Sequence, residues 1–170
     1  MHDDELSRLF REYHAPLVRY LTRRLGDRDW AEEVAQETFV RAMRQDTLTN
    51  ERSWLFAVAT NLVRDEARKD ARRRKHLELL REETRDDVFE QEPTTLERAQ
   101  EMALARKAVD SLAEKDRLAL LMREEGLNYN EIAEALELSV GSIGTTLSRA
   151  RRRLAESYES LQRERIGRTG

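Results

Sequence analysis

The stretch LNYNEIAEALELSVGSIGTTLSRARRRL, residues 127–154, reads as two helices joined by a three-residue turn and ending in arginines. Asn128 is placed to cap the first helix. Glu131, three residues on, can reach back to the cap's own N–H, and Ile132, Ala133 and Leu136 supply an apolar face. Ser139 restarts the pattern. From there Val140, Ile143, Leu147, Ala150 and Leu154 recur at intervals of three and four, which at about 100° per residue makes one buried stripe. The opposite face carries Gly141, Ser142, Thr145, Arg149 and Arg152, with small hydroxyl residues toward the N-terminus and guanidinium groups further along. That is a helix-turn-helix whose second helix suits a major groove, its first turns at base edges and its flank at phosphates. As a bare pattern the same face is the solvated side of a helical hairpin; the tight turn, the caps and the run from Arg151 to Arg153 favour DNA.

A chain of 170 residues allows one domain of ordinary size or two small ones. Charged residues make up 38% and aromatics 6%, with 6 Gly and 2 Pro, a profile of amphipathic helices rather than sheets. The expectation is an all-α protein of two small helical domains. A net charge of -3 argues against nonspecific coating of nucleic acid, so any DNA contact must come from local clustering of cations. With no cysteine there are no disulfides, no cysteine-ligated zinc and no thiol sensing, and three scattered histidines make no metal site. No apolar run approaches the ~18 to 20 residues of a membrane span, and the start MHDDE lacks the features of a signal peptide. A cytoplasmic protein without cofactor or membrane insertion is expected.

In chain order, Leu6, Leu9, Phe10 and Tyr13 repeat at helical spacing, and Leu17, Tyr20 and Leu21 resume after Pro16, which suits a helix start or kink, before Gly26 stops the run. Asp29, with Glu32 in the box position, reads as the next cap. Ala31, Val34, Ala35, Thr38, Phe39 and Ala42 line the inner face of that helix, and Glu33, Gln36, Glu37 and Arg41 its outer one. Taken alone, that outer face is a solvated surface. A loop over 45–51 precedes a third helix with Trp54, Leu55, Val58, Ala59, Leu62 and Val63 on one side and Asn61, Arg64, Asp65 and Arg68 on the other. The following ARKDARRRK, residues 67–75, reads equally as a solvated helix end and as a phosphate-binding flank. Trp54 fits the core by spacing, with stacking on an unpaired base as the second reading.

Residues 76–95 lose the period, are rich in acids and contain Pro93, so they are expected to be a flexible acidic linker between domains at 1–75 and 96–161. Thr94 with Glu97 would cap a helix whose inner residues are Leu96, Ala99, Ala103, Val109 and Leu112; another holds Leu118, Leu121 and Met122 and ends at Gly126. Residues 162–170 are expected to fray.

Three segments in this order carry a resemblance that covers nearly the whole chain. DRDWAEEVAQETFVRAMRQ resembles the DAEDLVQETFLRAWR signature in the second region of bacterial sigma factors of the extracytoplasmic-function group. SWLFAVATNLVRDEARKDARRR is similar to the AWLYRIARNLAIDHLRRRRR segment that follows it there, and NYNEIAEALELSVGSIGTTLSRARRRL to the fourth-region SYAEIAEILGVSVGTVKSRLHRARRRL. The resemblance implies a non-enzymatic initiation factor whose partners are core RNA polymerase and promoter DNA, with an anti-sigma factor as a further partner the family allows. It implies core docking by Glu33, Gln36, Glu37 and Arg41. It puts Trp54, Asn61, Arg64, Asp65 and Arg68, with the loop before Ser53, at the minus-ten element. Ser139, Gly141, Ser142, Thr145, Thr146, Arg149 and Arg152 are put at the minus-thirty-five element.

The chain departs from the family pattern at Gly144 and Thr146, which stand where cations are usual, at Trp30, where a small residue is common, and at the turn, where Glu137 and Leu138 occupy a place in which a glycine is frequent. A stand-alone helix-turn-helix repressor or activator, whose first domain binds an effector or dimerises, remains the other reading; it explains only half the motifs. A carboxylate enzyme has no support, because the acids fall at caps, solvated faces and the linker.

Overall fold

The computed structural model describes residues 1–69 and 95–169, and these form seven helices: α1 (Asp3–Leu25), α2 (Arg28–Met43), α3 (Glu51–Lys69), α4 (Leu96–Asp110), α5 (Glu114–Glu124), α6 (Tyr129–Leu136) and α7 (Val140–Thr169). No strand occurs among the described residues. The expected linker lies outside them apart from its last residue, Thr95, and so does the cationic stretch beyond Lys69. Helices α1 to α3 make the first domain and α4 to α7 the second.

Acids Asp3, Asp4 and Glu5 in the first turn of α1 and Arg23 and Arg24 in its last complement the helix dipole. Gly26 closes it in the left-handed conformation, φ 73°, donating its N–H to the Thr22 carbonyl at 2.7 Å. Of the two readings of Pro16 the helix start is overturned, because α1 runs on from Asp3 to Leu25 with the proline inside it. Leu9 on one side of it and Leu17, Tyr20 and Leu21 on the other are buried, and burial worth roughly 1.5–3 kcal/mol per large side chain outweighs the ~3 kcal/mol cost of an internal proline. The α2 cap is Asp27 rather than Asp29: directly after Gly26 it turns the chain and accepts from the Trp30 N–H at 3.1 Å. The inner face of α2 is as read, with Ala31, Val34, Ala35, Thr38, Phe39 and Ala42 all buried.

Helix α3 is the centre of the molecule. Leu55, Ala59, Leu62 and Val63 are buried as expected, but so are Ser53, Phe56 and Thr60, which lie off that stripe. The reason is that α3 packs on α1 and α2 on one side and on α6 on another. Tyr20 and Thr60 share a buried hydroxyl hydrogen bond of 2.7 Å, and the Tyr20 and Phe56 rings meet at 5.1 Å. Arg8 of α1 pairs with Glu51 in the first turn of α3, and Trp30 donates its indole N–H to Glu66 at 2.6 Å, tying the start of α2 to the far end of α3.

In the second domain α4 is capped by Thr95, which accepts from the Arg98 N–H, and not by Thr94. Its expected inner residues Leu96, Ala99 and Ala103 are exposed, Leu96 at 77%; Ala108 and Leu112 are the buried ones, because only the second half of α4 meets apolar side chains among the described residues. The Asn128–Glu131 capping box is complete, with bonds of 2.8 and 2.9 Å. Helix α7 continues to Thr169 instead of fraying after Leu161. Leu154, Tyr158, Leu161 and Arg165 prolong its half-buried stripe at the same spacing.

The three-residue turn between α6 and α7 begins at Glu137, which adopts φ 56° and ψ 46°. A side chain there costs roughly 1–2 kcal/mol by clash of Cβ with the carbonyl, against ~0.4–1 kcal/mol gained from a stiffer unfolded chain. Glu137→Gly is therefore expected to stabilise the protein by about 0.5–1 kcal/mol, read as a higher urea midpoint at unchanged slope. An unchanged or lower midpoint would contradict the strain.

Candidate nucleic-acid interface

The outer face of α2 presents Glu33, Gln36, Glu37 and Arg41, all exposed; Arg41 donates to Glu37 one turn back at 3.3 Å, and no other helix among the described residues covers this face. On α3, Asn61 and Asp65 are exposed, and Arg64 donates to the Asn61 side-chain oxygen at 3.4 Å. Trp54 is half-buried against the core. Arg68 belongs to α3, but its side chain lies outside the described residues.

At the helix-turn-helix, Gly141, Thr145 and Arg152 face outward with Ser139, and Ser142 bonds the Ser139 carbonyl at 2.8 Å to finish the cap. Four readings of this helix need correction. Val140, placed on the buried stripe, is 49% exposed, because α7 begins there and nothing packs over its first residue. Thr146, assigned to DNA, is 2% exposed and donates its hydroxyl to the Ser142 carbonyl at 2.8 Å, so it faces the core. Ser148, passed over in the sequence, lies exposed in its stead. Arg149 is not a free outward cation: it grips Asp116 of α5 with two bonds, Nε at 3.0 Å and a terminal nitrogen at 2.7 Å. The outward stripe is thus Gly141, Thr145, Ser148 and Arg152, spaced by four, three and four.

Residues 9–73 match the model of Sigma-70 region 2, and residues 102–154 that of Sigma-70, region 4. The chain is 29% identical to the RNA polymerase sigma factor YlaC of Bacillus subtilis, over 97% of its own length and 99% of the relative's. It is 32% identical to the ferric citrate uptake sigma factor FecI of Escherichia coli, with 84% of each covered. With the ECF RNA polymerase sigma factor SigL of Mycobacterium tuberculosis it shares 32% identity, covering 90% of this chain and 88% of the relative. The chain belongs to the extracytoplasmic-function group of the sigma-70 family. Sigma factor RpoE of Bartonella quintana, solved with the anti-sigma factor NepR, has the same fold, with a TM-score of 0.62 at 22% identity over 92% of this chain and 95% of that one.

In this sigma factor a set of charges that periodicity did not single out joins the two domains. Glu114 of α5 accepts from Arg64 at 3.0 Å and from Arg24 at 3.4 Å. Hydrogen bonding to Arg64, then its charge, holds the Glu114 carboxyl below its ordinary range, while burial lowers the pKa of Arg24. Glu125 takes Arg19 and Arg23, each at 3.0 Å. Arg52 donates to the Gly126 carbonyl and stands 3.1 Å from Glu131, and Asn50, in the loop before α3, bonds both oxygens of Glu134 at 3.0 Å. No helix among the described residues is long and apolar enough to cross a membrane.

Asp116 is 1% exposed, and the hydrogen bond from Arg149, ahead of the charges of Arg149 and Arg153, holds its carboxyl below the ordinary value. A carboxyl that is harder to protonate folded than unfolded adds stability that is complete above the unfolded pKa, about 4, and is lost as pH falls through the lower folded value. The thermal midpoint is expected to be level from about pH 7 to pH 5 and to fall below about pH 4. Arg149→Ala, which leaves buried Asp116 with the more distant Arg153 and the charge of Lys115, should lower the midpoint by several degrees at pH 7, and the gap to the parent should close toward pH 3. A gap independent of pH would show that the pair does not titrate.

Proposed function

We propose that this sigma factor uses three separate surfaces to start transcription. The polar face of α2, Glu33, Gln36, Glu37 and Arg41, docks on core RNA polymerase. Asn61, Arg64 and Asp65, with Trp54, Arg68 and the loop before Ser53, take the minus-ten element. Ser139, Gly141, Ser142, Thr145, Ser148 and Arg152 take the minus-thirty-five element as duplex, with Arg149 holding the helix in place. The observation that carries this reading is that one chain bears both an outward-facing helix N-terminus of small residues and, on another helix, an amide beside a guanidinium. The first suits a groove, where small side chains let the backbone approach base edges. The second suits an unstacked base, whose Watson–Crick edge an amide reads while a cation holds the backbone. The protein acts by binding and carries out no chemistry of its own, and its place of action is the cytoplasm, where polymerase and promoter are. An anti-sigma factor, such as the one bound to the Bartonella protein, would act by covering these surfaces.

Run-off transcription from genomic fragments with purified core polymerase tests the assignment: initiation at discrete sites is expected only when both proteins are present. A tight, sequence-specific footprint of the chain alone would instead make it a stand-alone regulator. Within this scheme Asn61→Ala should slow open-complex formation up to about ten-fold while leaving closed-complex binding unchanged, because a hydrogen bond to a base edge forms only after unstacking. Permanganate reactivity of promoter thymines reports the step, and equal losses on duplex and pre-melted templates would make Asn61 a structural residue.

A further inference from the structure

Arg123 and Tyr129 meet beside the recognition helix, although neither belongs to it. Gly126, at φ 90°, reverses the chain at the end of α5, and the fully buried Leu127 anchors the turn. Arg123, in the last turn of α5, donates to the Leu127 carbonyl at 2.9 Å, and its guanidinium carbon stands 5.7 Å from the centre of the Tyr129 ring. Tyr129, the first residue of α6, is 43% exposed and lies against Gly144 of α7, where a Cβ would sit 3.7 Å from Tyr129 Cε2. Gly144 is one turn from both Gly141 and Ser148, at the rim of the exposed stripe. We infer that Arg123, steadied by Tyr129, holds a backbone phosphate of the promoter duplex at the rim of the minus-thirty-five surface. The inference rests on the minus-thirty-five assignment made above and adds a contact from outside the recognition helix.

A guanidinium that serves a phosphate must be oriented without being neutralised. Several arginines of this domain are not in that state: Arg149 and Arg153 share Asp116, Arg106 has Asp110 and Arg163 has Glu159. Arg123 is exposed and makes no ion pair among the described residues. A neutral carbonyl and an aromatic face hold it, so its charge is left for an anion, and its neighbour Glu125 is spent on Arg19 and Arg23. Fixing the side chain in advance also lowers the ordering cost of binding.

The contact reads no base. A phosphate is the same in every sequence, so its value lies in register, setting where along the groove Gly141, Thr145, Ser148 and Arg152 come to rest. It also bears on the departure at Gly144. The cation usual at that position is absent from α7, and Arg123 brings one from α5 to the same rim.

The test uses holoenzyme, assembled from the full chain and core polymerase, on a promoter fragment recovered by run-off transcription. Closed-complex affinity is measured in the cold over a range of salt. Arg123→Ala is expected to weaken binding about eight-fold at ~0.1 M salt, and to make the slope of log K against log salt shallower by about 0.9, the value of one phosphate contact on duplex DNA. Arg123→Gln, which keeps a donor for the Leu127 carbonyl, should do the same, whereas Arg123→Lys should keep the slope. Arg163→Ala, which takes one cation from an exposed pair further along α7, should leave both quantities unchanged. The loss should be equal on fragments altered at single base pairs of the minus-thirty-five element, and ethylation of one phosphate bordering that element should interfere with the parent and not with Arg123→Ala. Tyr129→Ala should weaken the parent about two- to five-fold and add nothing to Arg123→Ala, because the ring acts through the guanidinium. A parent-like slope in Arg123→Ala and Arg123→Gln, a slope lost equally in Arg123→Lys, or an unchanged ethylation pattern overturns the inference and leaves the proposed function standing. A parent holoenzyme that starts no transcription at discrete sites overturns the proposed function, and this inference with it.

Discussion

Reversing Glu33 and Glu37 to lysine is expected to cut core-dependent transcription by about 100-fold or more while leaving the protein folded. Both side chains project from the outer face of α2, and the only described bond either makes is the exposed Glu37–Arg41 pair, whose loss removes about 0.3–0.5 kcal/mol. Helix α2 keeps its buried row from Ala31 to Ala42 and its Asp27 cap, so the thermal midpoint should stay within a degree or two of the parent. A cationic partner surface, by contrast, would now meet two like charges, and like-charge contacts across an interface cost several kcal/mol, with every 1.4 kcal/mol worth a factor of ten. The measurement is a titration of labelled chain with core polymerase at two salt concentrations beside a run-off assay. Parent-like affinity in the double variant would remove α2 from the docking surface, whatever happened to transcription.

The largest effect on stability is expected from Phe56→Ala. Phe56 is fully buried on α3, with the Tyr20 ring at 5.1 Å and the cluster shared by both domains around it. Truncating a buried phenylalanine costs about 3–5 kcal/mol, of which part is lost transfer free energy and part the cavity left behind. Against a total of ~5–15 kcal/mol for a protein of this kind that is a large fraction. The urea midpoint should therefore drop sharply at unchanged slope, while Leu96→Ala, at the exposed start of α4, should leave it within error of the parent. Small and equal effects from the two would mean that Phe56 does not sit at the centre of one cooperative core.

The contrast between these sites marks how far the chain could be read without its structure. The row Ala31, Val34, Ala35, Thr38, Phe39 and Ala42, the Asn128–Glu131 capping box, the stop at Gly26 and the three-residue turn before Val140 are all as the residues imply. Each is decided within about four residues, by helical spacing, a cap and its N–H, or a backbone that only a small residue enters easily. The polar face of α2 was legible for the same reason.

Other features turn on which helices meet. Phe56 and Thr60 are off the stripe that periodicity assigns to α3, and become buried because α3 has neighbours on two sides. Thr146 and Arg149 read as outward residues of one helix until α5 packs beside α7 and brings buried Asp116 within reach of the guanidinium. Glu114, Glu125 and Glu134 looked like ordinary solvated acids in the sequence, and only the packing of α5 and α6 on the first domain sets them against Arg64, Arg23 and Asn50. The sequence alone determined the helices, the Asn128–Glu131 cap and the faces that short-range spacing controls, while the caps of α2 and α4 fell one or two residues from where the pattern put them. The tertiary structure decided which faces are covered and which charges are paired, because those contacts join residues some 33 to 106 positions apart, a separation at which no local pattern carries a signal.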